Sequence, residues 1–179
     1  IVTLDFDRDG DLDVLIYYNF GPLKLYRNDS TPARSWLQVA FSVPAASKVA
    51  ADGYGVRAVA RVGKSQFVRY LDGGNGYLGS SELLLHWGLG DAKEIDELRI
   101  EWPRGNATTL GPLAVNQRIV VTAPVASDLN ADGRVNSADL AILLGAWGPI
   151  GALQRSVDID DDGVVGSSDL AILLGAWNP

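Results

Sequence analysis

Nine residues, DLAILLGAW, occupy 139–147 and return unchanged at 169–177, thirty positions on. A chain carrying the same apolar segment twice must give both copies equivalent environments, and the simplest solution is two similar helices packed on each other. Each copy closes an acidic stretch of twelve residues. The first holds Asp128, Asn130, Asp132, Gly133, Arg134, Asn136 and Asp139; the second holds Asp158, Asp160, Asp162, Gly163, Val164, Gly166 and Asp169. Side-chain oxygens recur at positions 1, 3 and 5 of both stretches, glycine at 6 and a carboxylate at 12.

That spacing is the EF-hand calcium-loop pattern. Calcium takes about six to eight oxygen ligands, so a short loop must wrap it with alternate side chains pointing inward and one carbonyl facing the ion. The carbonyls of Arg134 and Val164 are the expected position-7 ligands, and Asn136 adds an oxygen at position 9. Gly166 has no side chain, which implies a water there. Asp139 and Asp169 would close each site from the first helical turn. Metal-free turns capping the helices are the other reading, and they leave the joint recurrence of five polar positions without a cause.

The closing residue is Asp where the common EF-hand has Glu. Asp at 12, Val at 8 and one short apolar helix after each loop, in tandem over 127–179, resemble the dockerin family, and the helix ending Gly-Ala-Trp is similar to dockerin-like repeats of planctomycete proteins. The resemblance implies a calcium-dependent module that docks onto a cohesin-like partner in extracellular assemblies, often of polysaccharide-degrading enzymes. It also implies partner contacts at loop positions 10 and 11, here Ser137, Ala138, Ser167 and Ser168.

Leu140, Leu143, Leu144 and Trp147 fall at i, i+3, i+4 and i+7, and the spacing predicts one apolar stripe, repeated by Leu170, Leu173, Leu174 and Trp177. Ile142 and Ile172 fall off it; they form a partner face or pack under the linker at 148–157. A module of this size has a thin core. Bound metal should therefore supply much of its stability, about 2.7 kcal/mol per site at a hundred times the dissociation constant.

The net charge of −7 is uneven. Residues 126–179 hold eight acids and two bases, and residues 1–13 hold five Asp and one Arg, so the middle is net positive by three. The acidity belongs to the loops. No basic cluster points to nucleic acid, and no apolar run approaches the length of a membrane span. The chain lacks Cys, which excludes a disulfide framework. It also lacks Met and opens on a strand-like Ile-Val-Thr-Leu, which reads as the C-terminal part of a longer protein with any signal peptide upstream. Calcium loops of this kind suit a secreted or cell-surface setting.

A third acidic loop lies at Asp5, Asp7, Asp9, Gly10, Asp11 and Asp13, followed by the apolar run 14–18. Four carboxylates and the Asp11 carbonyl can surround one calcium, but no helix follows. The pattern resembles the FG-GAP or VCBS repeat, whose calcium loop joins strands of a β-propeller blade. Strands are expected at 14–18 and 23–27, a piece that cannot close a propeller alone.

The middle reads as short strands at 36–41, 56–62, 66–71, 83–87, 95–102 and 118–122 between Gly, Asp, Asn and Pro punctuation, a sandwich pattern. Its words Ser35-Trp-Leu-Gln-Val39, Gly55-Val-Arg57, Gly76-Tyr77-Leu78-Gly-Ser80, Leu85-His86-Trp87-Gly88-Leu89-Gly90 and Ile95 to Gly105 resemble the ASPIC/UnbV domain, which follows FG-GAP repeats. No catalytic activity transfers with that resemblance.

Catalytic signals are thin. Gly74-Asn-Gly76-Tyr-Leu-Gly79 satisfies G-x-G-x-x-G with no helix after it. His86 is the single histidine and reads as a packed or hydrogen-bonded strand residue. Glu94, Asp96, Glu97 and Glu101 read as a solvated face, with a glycosidase-type carboxylate pair left open. Trp36, Trp87 and Trp102 read as core, with a sugar-stacking platform as the alternative. Asn28 and Asn106 begin glycosylation sequons.

The expected fold is mainly β with a small α module. A propeller-blade remnant at 1–30 precedes a β-sandwich-like ASPIC/UnbV domain at 31–123 and a paired loop–helix dockerin unit at 124–179. The expected function is non-catalytic calcium-dependent docking. Its rivals are an appendage of a secreted carbohydrate-active enzyme whose active site lies upstream, and a surface sorting or stability element without a cohesin.

Overall fold

The computed structural model describes residues 1–30, 32–73, 79–103, 107–151 and 155–178. The chain is mainly β with two helices. Three antiparallel strands, β1 (Val2–Leu4), β2 (Asp13–Tyr17) and β3 (Leu23–Tyr26), form an N-terminal sheet. The acidic loop connects β1 to β2.

The middle contains β4 (Ser35–Ser42), β5 (Arg57–Val62), β6 (Ser65–Tyr70), β7 (Leu85–Gly90), β8 (Glu94–Ile95), β9 (Glu97–Glu101), β10 (Ala107–Leu110), β11 (Leu113–Ala114) and β12 (Gln117–Thr122). One sheet runs β10-β9-β5-β6 and a second runs β12-β4-β7, with β11 paired to β8. The β12–β4 pair is parallel and brings Val121 opposite Phe41.

Period-2 alternation explains how these sheets share one core. Leu37 and Val39 of β4, Leu85 and Trp87 of β7, Ala58 and Ala60 of β5, and Leu98 and Ile100 of β9 all point into it and are buried. Each large apolar side chain there contributes on the order of 1.5–3 kcal/mol by leaving water. The Trp87 indole satisfies its N–H on the Phe67 carbonyl at 2.9 Å, and Trp102 donates to Thr108 Oγ1 at 2.9 Å while meeting Phe41 edge-on. Trp36 departs from the expected core placement: it points to the opposite face of β4, where its indole lies against Gly10.

The run at 95–102 is not one strand. Asp96 breaks it, because its amide bonds to the Arg61 carbonyl and its carboxylate accepts from Gly63 N–H at 2.6 Å, so β8 and β9 pair with different neighbours.

The C-terminal unit contains α1 (Ser137–Gly145), β13 (Gly148–Pro149), β14 (Val164–Val165) and α2 (Ser167–Gly175). Its core is Val135, Leu143, Val157, Ile159, Val165 and Leu173, flanked by Leu140, Ala146, Leu170 and Ala176. The stripe predicted from the sequence is thereby corrected. Residues advance about 100° each around a helix, so Leu144 is turned well away from Leu143, and α1 ends at Gly145 before Trp147 can join the same face. Leu144, Trp147, Leu174 and Trp177 are exposed instead. Ile142 and Ile172 are exposed as well, on the other flank of the buried line; linker residues 152–154 lie outside the described residues.

Candidate metal centres

All three acidic loops fold the same way. The position-4 residue takes a left-handed conformation in each, with φ of 63° at Arg8, 61° at Ala131 and 62° at Asp161, and the position-6 glycine follows with φ of 95° at Gly10, 86° at Gly133 and 92° at Gly163. Glycine is favoured at position 6 because a Cβ would strain that backbone. The two left-handed residues curl the chain around the first aspartate.

That aspartate organises the turn. Asp128 accepts from the amides of Asp132 at 3.1 Å and Gly133 at 2.9 Å, and Asp158 accepts from Asp162 at 3.2 Å and Gly163 at 2.9 Å. Asp5 accepts from Gly10 N–H at 3.1 Å. Position 3 supports the same turn, with Asn130 and Asp160 accepting from Asp132 and Asp162. At position 5, Asp9, Asp132 and Asp162 each accept from the amide two residues on, that of Asp11, Arg134 or Val164.

The closing aspartates are fully buried staples. Asp139 Oδ1 accepts from Leu129 and Asn130 and its Oδ2 from Asn136; Asp169 repeats this with Ile159, Asp160 and Gly166. In the N-terminal loop Asp13 has the equivalent role, accepting from Phe6 at 2.7 Å and from Asn28 at 2.8 Å. Asn136 uses its side-chain oxygen to cap α1 through Ala138 N–H at 2.8 Å. Ser137, Ala138, Ser167 and Ser168 lie exposed on the first helical turns.

Oxygens converge in two of the loops. Asp158, Asp160 and Asp162 each place one carboxylate oxygen within 4.8 Å of the others, and Asp5, Asp7 and Asp13 do the same. Burial raises the Asp128 carboxyl pKa, and the charges of Asp139 and Asp132 add to that push against the backbone amides. The Ser168 hydroxyl lowers the Asp160 pKa by hydrogen bonding. Like charges held this close repel, and a divalent cation relieves the repulsion. Asp5 makes the fit sharper: it is 8% exposed, yet its Oδ1 has no hydrogen-bond partner. A buried carboxylate oxygen left bare is costly, and these residue sets suit an oxygen-ligated cation.

Glu101 pairs with Arg57 at 2.7 Å and Arg99 at 3.1 Å, Asp96 and Glu97 each face Arg61 at 3.6 Å, and Arg57 holds the Glu101 carboxyl below its ordinary value. These acids form an ion-paired strand face. His86 is half-buried beside Gln38. The glycine motif at 74–79, apart from Gly79, and the sequon residue Asn106 lie outside the described residues.

Sequence reasoning passed over Gln38. It sits between core residues Leu37 and Val39 on the outward face of β4, is 2% exposed, and donates to Asp5 Oδ2 at 2.6 Å. The only signal was a polar residue inside an apolar strand.

A β-rich body is followed by two matched loop–helix units, and comparison with known proteins finds similarities for two stretches of the chain. Residues 46–128 match the family model "ASPIC and UnbV", and residues 126–178 match the "Dockerin type I domain". The two matches meet at 126–128, with β4 lying ahead of the first. Cartilage acidic protein 1 of Mus musculus is 34% identical over 108 residues, covering 58% of this chain and 16% of that protein; its Xenopus tropicalis counterpart is 34% identical over 109 residues, covering 59% and 16%. The chain therefore spans about a sixth of the length of these curated relatives. Two solved structures align with it, the N-terminal and C-terminal interface mutants of a type II cohesin–X-dockerin complex from Acetivibrio cellulolyticus. They have TM-scores of 0.37 and 0.35 and identities of 13% and 11%, and they cover 81% and 80% of this chain and 96% of theirs. Likeness at those scores carries no argument. No helix among the described residues is long and apolar enough to cross a membrane.

Proposed function

We propose that residues 124–179 form a calcium-dependent docking module for a cohesin-like protein partner, carried by a non-catalytic, extracellular β-rich body. The observation that carries this reading is the dockerin type I match over 126–178 on two loops whose position-1, -3 and -5 side chains accept the same backbone amides. Asp128, Asn130, Asp132 and the Arg134 carbonyl would hold one ion, and Asp158, Asp160, Asp162 and the Val164 carbonyl a second. Asp139 and Asp169 close the loops, and Asn136 sits at the mouth of the first. The partner face takes in Ser137, Ala138, Ser167 and Ser168 and, four residues on from 138 and 168 along each helix, the exposed Ile142 and Ile172.

Residues 1–30 are the outer part of a propeller blade, whose loop takes a further calcium at Asp5, Asp7, Asp9, Asp13 and the Asp11 carbonyl. The exposure of Tyr17, Leu23 and Tyr26 supports further strands packing there in the whole protein. Residues 31–123 form the ASPIC/UnbV-type domain between the two metal-binding parts.

A second reading, a stability or surface-sorting module without a cohesin, is favoured by the closing aspartates, whose oxygens are already engaged in stapling each loop. Capture of cohesin domains by the intact chain, in calcium and in chelator, separates the two. Calcium-dependent capture supports docking; calcium-dependent folding without capture of any cohesin class supports the stability reading and overturns docking.

A further inference from the structure

The N-terminal acidic loop does more than join two strands. It lies across the outer face of the β12-β4-β7 sheet, where Trp36 and Gln38 of β4 project away from the core. A Cβ on Gly10 would come within 2.0 Å of the Trp36 ring, so the loop backbone rests directly on the indole. Gln38 Nε2 donates to Asp5 Oδ2 at 2.6 Å and lies 3.4 Å from Nδ1 of His86, its cross-strand neighbour on β7. The two amide hydrogens of Gln38 can thus be shared between a neutral imidazole and a carboxylate. Asp5 is left with Oδ2 doubly bonded, to Gly10 and Gln38, and with Oδ1 bare and buried, while one of its oxygens lies within 4.8 Å of an oxygen each of Asp7 and Asp13.

This arrangement has the logic of a ligand oriented from behind. One oxygen is held by the neighbouring sheet while the other is presented to an ion, and such supporting bonds tune metal affinity about 10- to 100-fold. Without an ion, the closeness of three carboxylates, offset in part by Arg27 at 3.8 Å from Asp7, and one unsatisfied oxygen weaken the seating of the loop on the sheet. With an ion, the same groups hold it down.

We propose that residues 5–13 form a cation-operated clasp that seats the N-terminal sheet on the outer face of β4 and β7, with Gln38 as the positioning residue that couples ion binding to docking. The proposal rests on the reading of Asp5, Asp7 and Asp13 as calcium ligands. It makes the junction between the first two parts of the chain rigid in calcium and loose without it.

The test is hydrogen exchange on the intact chain in calcium and in chelator, read beside calcium stoichiometry and the indole N–H resonance of Trp36, assigned with Trp36→Phe. Asp128→Ala/Asp158→Ala removes the tail sites as a source of signal. In that background, calcium should slow exchange in β1 and β2 and shift the Trp36 resonance, and Asp7→Asn, a change at an exposed position, should abolish both effects along with one bound ion. Gln38→Leu should weaken calcium at this loop about 10- to 100-fold while thermal unfolding of the middle sheets shows the variant folded. If Asp7→Asn leaves the stoichiometry unchanged, the metal reading falls and the clasp with it. If the ion is lost but exchange in β1 and β2 is the same in calcium and chelator, the clasp falls while the metal site stands. Unchanged affinity in folded Gln38→Leu removes Gln38 from the coupling.

Discussion

His86 is the single histidine, and its setting turns it into a local reporter. Burial lowers its pKa, with the Asp5 charge opposing and Arg69 assisting. The native state therefore favours neutral imidazole, while the unfolded chain takes up the proton as pH falls through about 6.5. Stability from this group is complete above that pH and declines as pH drops from there toward the native value. A proton NMR titration of the His86 ring in the folded chain should give a midpoint below the free-imidazole value; a midpoint at or above it would show that burial does not dominate. The sequence made His86 legible as a packed strand residue, because it stands between Leu85 and Trp87. It could not reveal Gln38 or Asp5 as its neighbours, since they lie on other elements and meet it only when β4 pairs with β7 in register.

At the scale of elements, the two loop–helix units are tied crosswise. Val135 of the first loop bridges Asn178 beyond α2, with Asn178 N–H donating to the Val135 carbonyl at 2.8 Å, while β14 of the second loop pairs with β13 just beyond α1. Each loop thus holds the end of the other unit's helix, and Leu143 and Leu173 share the core between them. Leu143→Ala and Leu173→Ala should each cost about 2–5 kcal/mol of tail stability, whereas Leu144→Ala should change it by less than about 0.5 kcal/mol. Denaturant unfolding in calcium reads the difference, and equal losses at 143 and 144 would contradict the packing described above. Calcium binding should be coupled by the same crossing. Loop two carries four carboxylates against three in loop one and should bind more tightly. Asp128→Ala and Asp158→Ala should each remove one ion and also lower affinity at the untouched loop. Calorimetry that finds the remaining site unaltered in both variants would reduce the tail to two independent loops.

Across the whole molecule the stabilising forces are unevenly shared. Among the described residues, the middle part encloses fifteen fully or nearly fully buried apolar residues, including Trp87 and Trp102, whereas the tail core has six. The Ala126 amide of the tail donates to Ala46 O of the body at 3.4 Å, just after the Ala123 amide has bonded to Ser42 O at 2.8 Å. Chelation should therefore melt 127–179 while the middle sheets persist, because repelling carboxylates outweigh a thin core in one part and not in the other. Hydrogen exchange on the intact chain in chelator should show α1 and α2 unprotected and β4, β5, β7 and β9 protected. Helices that stay protected without calcium would mean that the tail core suffices by itself.

The sequence by itself determined the loops and most of the strands, because both are written in local chemistry. Oxygen donors at positions 1, 3 and 5 and a glycine at 6 specify a turn within a dozen residues, and period-2 alternation marks β4, β5 and β9. What only the tertiary structure decided was facing. The helical spacing of Leu140, Leu143, Leu144 and Trp147 was compatible with one buried stripe, yet the apolar residues of the loops fill only the side held by Leu143, and the helix ends before Trp147. The strand at 95–102 was divided by Asp96, whose partners Arg61 and Gly63 come from the end of β5 and the turn that follows it. Gln38 gained its role because the first loop folds back over β4 and hides it from water. Contacts between residues far apart in sequence leave no periodic trace, so folding alone places Asp5 and Gln38 side by side.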